Sequence, residues 1–137
     1  MDFALRELVR QQAGRRCEYC RIHEDDKLYA FHLEHVVPKK HGGGDDPSIL
    51  AWSCHSCNLA KGANLSGRVH GEIVTLFHPR RQQWNRHFVW NADGTLIVGL
   101  TVCGRATVVS LQLNNLVAVN VRREWVKAGW HPPEDED

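Results

Sequence analysis

Cys17-Glu18-Tyr19-Cys20, His32-Leu33-Glu34-His35 and Cys54-His55-Ser56-Cys57-Asn58-Leu59-Ala60-Lys61-Gly62 are the stretches that decide how this chain folds. Zinc takes four tetrahedral thiolate or imidazole ligands, and a CxxC knuckle offers two sulfurs to one ion without strain. Two knuckles therefore complete a closed structural site from Cys17, Cys20, Cys54 and Cys57. The enclosed Glu-His pair offers oxygen and imidazole groups for chemistry, which suggests a structural metal beside a catalytic one. Binding free energy becomes folding free energy in such a site, so the front half of the chain is expected to loosen without its ion.

Outward from these motifs, Asp2 is placed to cap a short helix over residues 2–12, with Leu5, Leu8 and Val9 on one face, and Gly14 ends it. Ala30 to Val37 has strand length and composition, and Pro38 stops its ladder. Gly42-Gly43-Gly44 and Asp45-Asp46-Pro47 form a turn, Ile49 to Trp52 a second strand, and Cys54 to Ala63 a helix. Strands are expected near Glu72 to Phe77, His87 to Asn91 and Leu96 to Leu100, with a hairpin turn at Ala92-Asp93-Gly94. Arg105 to Leu113 and Asn115 to Ala128 follow as helices, the first made ambiguous by β-branched Thr107, Val108 and Val109. The fold class is α+β: a zinc-stapled strand–strand–helix (ββα) core at about 15–65, preceded by a helix and followed by a strand-plus-helix extension at about 66–130. All of it, with the acidic tail 133–137, reads as one domain.

With 137 residues, 42% of them hydrophobic, the chain has the composition of an ordinary globular protein. No run approaches the roughly 20 apolar residues of a membrane span, and MDFALRELVRQQ lacks the apolar core of an export signal. The expectation is a cytoplasmic protein without a membrane partner. An odd cysteine count of 5 argues against a disulfide framework, and Cys103 reads as a small buried hydrophobe. The formal net charge of +1 conceals basic clusters behind the acidic tail.

The CxxC brackets, Glu34-His35-Val36-Val37-Pro38, the glycine-rich turn and Cys57-Asn58-x-x-Lys61-Gly62 resemble the HNH endonuclease family over residues 15–65. A weaker resemblance to small stand-alone bacterial members continues through Leu76-Phe77-His78-Pro79-Arg80, Trp84, His87-Phe88 and Gly104-Arg105-Ala106-Thr107. The resemblance implies a ββα-metal core and metal-dependent hydrolysis of DNA, most naturally double-stranded, leaving a 5′-phosphate and a 3′-hydroxyl. His35 would be the general base, since an imidazole titrates near physiological pH. Glu34 and Asn58 would hold one Mg²⁺ or Mn²⁺ through oxygen. His32 shares Glu34's strand face and is either a further ligand or partner of that ion, or a buried hydrogen-bonded histidine. Lys61, one helical turn beyond Asn58, joins the catalytic group, and Lys39, Lys40, His41, Lys61, Arg80 and Arg81 are the candidate phosphate contacts. Arg122-Arg123 reads as a solvated pair.

Two positions depart from the family pattern. Glu34 stands where an aspartate is more usual. Ile49 stands where relatives carry an Asn that ties the loop and whose carbonyl orients the general base. Ile49 keeps a carbonyl for His35, and the tie falls to Asp45, Asp46, Ser48 or packing. The alternative reading is a zinc-stabilised nucleic-acid-binding module with a decayed nuclease centre. Target sequence, oligomeric state and biological role are not written in the motifs.

Overall fold

The computed structural model describes residues 3–26 and 29–132, so the expected Asp2 cap and the acidic tail lie outside the described residues. Helix α1 (Phe3–Gln12) packs against strand β2 (Leu50–Ser53), which pairs antiparallel with β1 (His32–His35). The register sets Glu34 opposite Ala51 and His35 opposite Leu50. β2 is buried along its whole length, as its apolar composition demands. Helix α2 (His55–Lys61) follows at once, begun by Cys54, whose sulfur accepts from the Cys57 amide. These elements make the α+β, zinc-stapled ββα unit that the motifs foretell.

The remainder wraps this unit with two more hairpins and three helices. Strand β3 (Ser66–Val69), absent from the sequence reading, pairs with β4 (Glu72–Thr75) through a two-residue turn. His70 and Gly71 adopt φ of 51° and 83° there, the mirror-image turn that matches strand twist. Helix α3 (Trp84–His87) is a single turn before β5 (Phe88–Trp90), where only a strand beginning at His87 was expected. β5 pairs with β6 (Ile97–Gly99) across a loop in which Asn91 and Asp93 side chains accept from the Thr95 amide.

Helix α4 (Val102–Ser110) starts three residues earlier than Arg105 because Thr101 caps it, accepting from the Gly104 amide at 3.0 Å. The β-branched ambiguity resolves in favour of helix through Thr107. Its hydroxyl donates to the Cys103 carbonyl at 2.8 Å and accepts from the Phe77 amide at 2.9 Å, which fixes α4 to the chain after β4. Helix α5 (Leu116–Lys127) is capped by Asn115. Val9, Tyr19, Leu50, Trp52, Phe77, Phe88, Ile97 and Leu111 lie in one buried core, so the C-terminal extension closes over the ββα unit. No helix among the described residues is long and apolar enough to cross a membrane.

Candidate metal clamp and hydrolytic centre

The four knuckle sulfurs lie within 4.8 Å of one another. Cys20 and Cys54 Sγ are 3.7 Å apart, against the edge of about 3.8 Å expected for a tetrahedron with zinc–sulfur bonds near 2.3 Å. Backbone amides of Cys20 and Cys57 donate to Cys17 and Cys54 sulfur at 3.5 and 3.4 Å, the local turn of each knuckle. Crowding makes the thiols act together. Their mutual hydrogen bonds push Cys20 and Cys57 up and pull Cys54 well below an ordinary thiol, and the Arg122 guanidinium lies within electrostatic reach of all four. A soft divalent cation fits this donor set, and the residues are arranged to hold structural zinc.

α2 lies along β1, and its His55, Asn58 and Lys61, spaced by three, share one face. At one end His32 Nε2 and His55 Nδ1 are 3.0 Å apart, and burial, then the His55 charge, lower the His32 pKa. At the other end Lys61 Nζ donates to Glu34 Oε1 at 2.6 Å and more weakly to the Val36 carbonyl at 3.4 Å. Tyr19 donates to Glu34 Oε2 at 2.6 Å. Desolvation and the Glu34 charge hold the Tyr19 phenol well above its usual value, so it remains a donor.

Two expectations are corrected here. Lys61 is 1% exposed and Glu34 4%, so Lys61 does not face a phosphate on the surface, and Glu34 does not present a free oxygen to a divalent ion. The ammonium already occupies the cation position. An Mg²⁺ or Mn²⁺ at Glu34 and Asn58 does not fit the side chains as placed, because the ion would have to displace a buried, hydrogen-bonded charge of like sign. Asn58 is half-buried midway along α2, and its side chain makes no hydrogen bond among the described residues.

His35 sits at the end of β1 with Nε2 2.9 Å from Asp45 Oδ1. An ionised carboxylate only accepts, so Nε2 carries a hydrogen, and in the neutral ring Nδ1 keeps its lone pair. The imidazole in turn holds the Asp45 carboxyl below its ordinary range. The Ile49 carbonyl, expected to orient His35, instead accepts from the Val36 amide at 2.8 Å, extending the β1–β2 ladder. The loop tie comes from Asp46, which accepts from the Ser48 amide at 2.9 Å. Gly43 lets the loop turn back: a Cβ there would stand 1.6 Å from the Val37 carbonyl oxygen. The sequence offers Asp45 only as a candidate loop tie. Its bond to His35 had no signal in the sequence beyond an acid in a glycine-rich turn.

Lys39 and Lys40 form an exposed 3₁₀ turn with His41 directly after Pro38, and Arg81 is exposed as well. Arg80 is otherwise engaged: its guanidinium pairs with Glu18 and donates to Gln12 at 3.1 Å. Arg122 is also corrected. It is buried, donating to the Thr95 and Leu113 carbonyls at 3.0 and 2.6 Å with its guanidinium over Trp90. Trp84 and Trp90 pack with their rings tilted by 37° and centroids 5.6 Å apart, and Trp84 donates to the Tyr19 carbonyl, which ties α3 to the first knuckle.

Residues 17–64 match the model of the HNH endonuclease family. The clamp, the β1–β2 hairpin and α2 all fall inside that span, so this part of the chain is similar to HNH endonucleases, which supports a nuclease function in general. No curated protein and no solved structure matches the chain.

Proposed function

We propose that this chain is a DNA endonuclease in which His35 is the general base. The observation that carries the reading is the His35–Asp45 bond, which leaves Nδ1 as the basic atom within a segment of the endonuclease kind. Water gives its proton to Nδ1, the hydroxide attacks phosphorus, and the bond to the 3′-oxygen breaks. A 5′-phosphate and a 3′-hydroxyl remain, the leaving oxygen taking its proton from solvent. Asp45 stabilises the imidazolium as it forms, in the way a carboxylate supports a histidine base elsewhere. Lys39, Lys40, His41 and Arg81 supply sequence-independent attraction to the backbone, and double-stranded DNA is the natural substrate.

Nicking of supercoiled plasmid in Mg²⁺ or Mn²⁺ tests the reading. His35→Ala is expected to lower the rate by roughly 10²–10⁴-fold, the range for a lost general base, with zinc content unchanged. The engaged Glu34 carboxylate favours one competing reading, the zinc-stabilised nucleic-acid-binding module. Protein that binds DNA and never cuts it with any divalent ion would establish that reading instead.

A further inference from the structure

Arg122 is a buried cation with no carboxylate bonded to it among the described residues. It is 3% exposed, and its hydrogen bonds go to neutral acceptors. Nη1 donates to the Thr95 carbonyl at 3.0 Å and to Asn114 Oδ1 at 3.1 Å, and Nη2 donates to the Leu113 carbonyl at 2.6 Å. The guanidinium also lies over Trp90, 5.3 Å from the ring centre. These partners fix its position but carry no charge to set against it, and buried charges are ordinarily paired.

The carboxylates buried or half-buried in the front half are already engaged: Glu18 pairs with Arg80, Glu24 with Arg10 and Glu34 with Lys61. The thiolate clamp is not. A cavity of about 320 Å³ has Cys20, Cys54 and Cys57 in one part of its wall and Arg122 in another. Cys20 and Arg122 also share the wall of a second, smaller cavity. Burial pulls the guanidinium below its ordinary value, while all four clamp sulfurs act in the opposite sense and favour its charge. Four thiolates on one divalent ion leave two negative charges in excess, so a loaded clamp remains anionic. Protonated thiols would offer Arg122 nothing charged.

We propose that Arg122 is the counter-charge of the metal-loaded clamp, supplied by the C-terminal extension to a site whose ligands all lie within residues 17–64. The proposal rests on the zinc reading of the clamp and not on the nuclease reading. A guanidinium has no lone pair to give, so Arg122 does not ligate the ion. It stabilises the anionic, loaded state, and the loaded clamp in turn compensates a buried charge on α5. Zinc occupancy is thereby coupled to the packing of a helix far along the chain from the knuckles.

The test measures zinc affinity of the full chain by competition with a chromogenic chelator. Arg122→Gln, which keeps a donor and loses the charge, is expected to bind zinc about 10–100-fold more weakly, the usual cost of losing a partner beyond the ligands. Arg122→Lys, which keeps the charge and loses the fork, should recover most of that affinity. Equal affinity in Arg122→Gln and the native chain overturns the proposal. So does a Lys variant as weak as the Gln variant, because hydrogen bonding alone would then account for the residue. If Arg122→Gln does not fold, the Lys variant decides: affinity close to native supports the charge role, and a loss of that size overturns it. A double-variant cycle checks the charge directly. Cys20→His keeps four ligands and removes one negative charge from the loaded clamp, so Arg122→Gln should weaken zinc binding clearly less in that background. An equal loss in both backgrounds marks a structural role and overturns the proposal. A native chain that holds no zinc overturns the clamp reading and the counter-charge with it, whether or not the chain cuts DNA.

Discussion

The thiolate clamp and the Glu34–Lys61 pair are both buried polar clusters, joined through the same short helix, yet they are balanced differently. Four sulfurs converge within 4.8 Å of one another with no cation hydrogen-bonded to them among the described residues, and they make Cys54 far more acidic than an ordinary thiol. Glu34 meets its own cation, and Tyr19 satisfies its second oxygen. A donor set attracts a metal when its charge is uncompensated, so the clamp is complete only with an ion and Glu34 is complete without one. Similar ligand chemistry on paper separates into a metal site and an internal salt bridge.

The largest effect should come from breaking the clamp. Chelation, or Cys54→Ser, is expected to remove the zinc and abolish cooperative unfolding of the β1–β2–α2 region, because structural zinc contributes on the order of 10 kcal/mol in comparable small sites. Circular dichroism with zinc analysis checks it, and an unchanged melting curve in the chelated protein would refute the structural role.

Opening the second cluster should cost less. Lys61→Ala leaves a buried carboxylate alone and is expected to destabilise by about 3–5 kcal/mol in denaturant titration, whereas the double variant Glu34→Leu with Lys61→Met should recover most of that loss. The same Lys61→Ala chain sharpens the comparison further. With its internal cation gone, Glu34 should acquire Mn²⁺ affinity measurable by calorimetry that the native chain lacks there. Tight Mn²⁺ binding at Glu34 in the native chain would show that the ion displaces Lys61.

The smallest effect should lie at the orienting carboxylate. Asp45→Asn keeps the loop shape and offers an amide in place of the charge, and nicking is expected to fall about 10–100-fold, as for other groups that orient a functional histidine. Nicking at the native rate would leave the His35 tautomer to some other group.

Much of the front half was legible because short-range rules govern it. Knuckle spacing, the strand stop at Pro38 and the helix begun by Cys54 are local geometry, and the sequence carries them directly. β3 escaped because Ser66-Gly67-Arg68-Val69 has little strand character and forms only against β4, through a turn whose left-handed His70 gives a weak signal. α3 escaped because one helical turn has no period to detect. Arg122 looked like a surface charge beside Arg123, and only the carbonyls of Thr95 and Leu113, far apart in sequence, give it buried partners.

By itself, then, the amino-acid order determined a cysteine clamp, a ββα unit of the HNH kind and the placing of Glu34, His35 and Asn58 upon it, since those follow from spacings of two, three and four residues. Only the tertiary structure decided the partners. Lys61 rather than an ion neutralises Glu34, and Asp45 rather than Ile49 bonds to His35. Pairing between distant segments is set by which charges and hydrogen bonds can be satisfied when water is excluded, and that is a property of the packed interior.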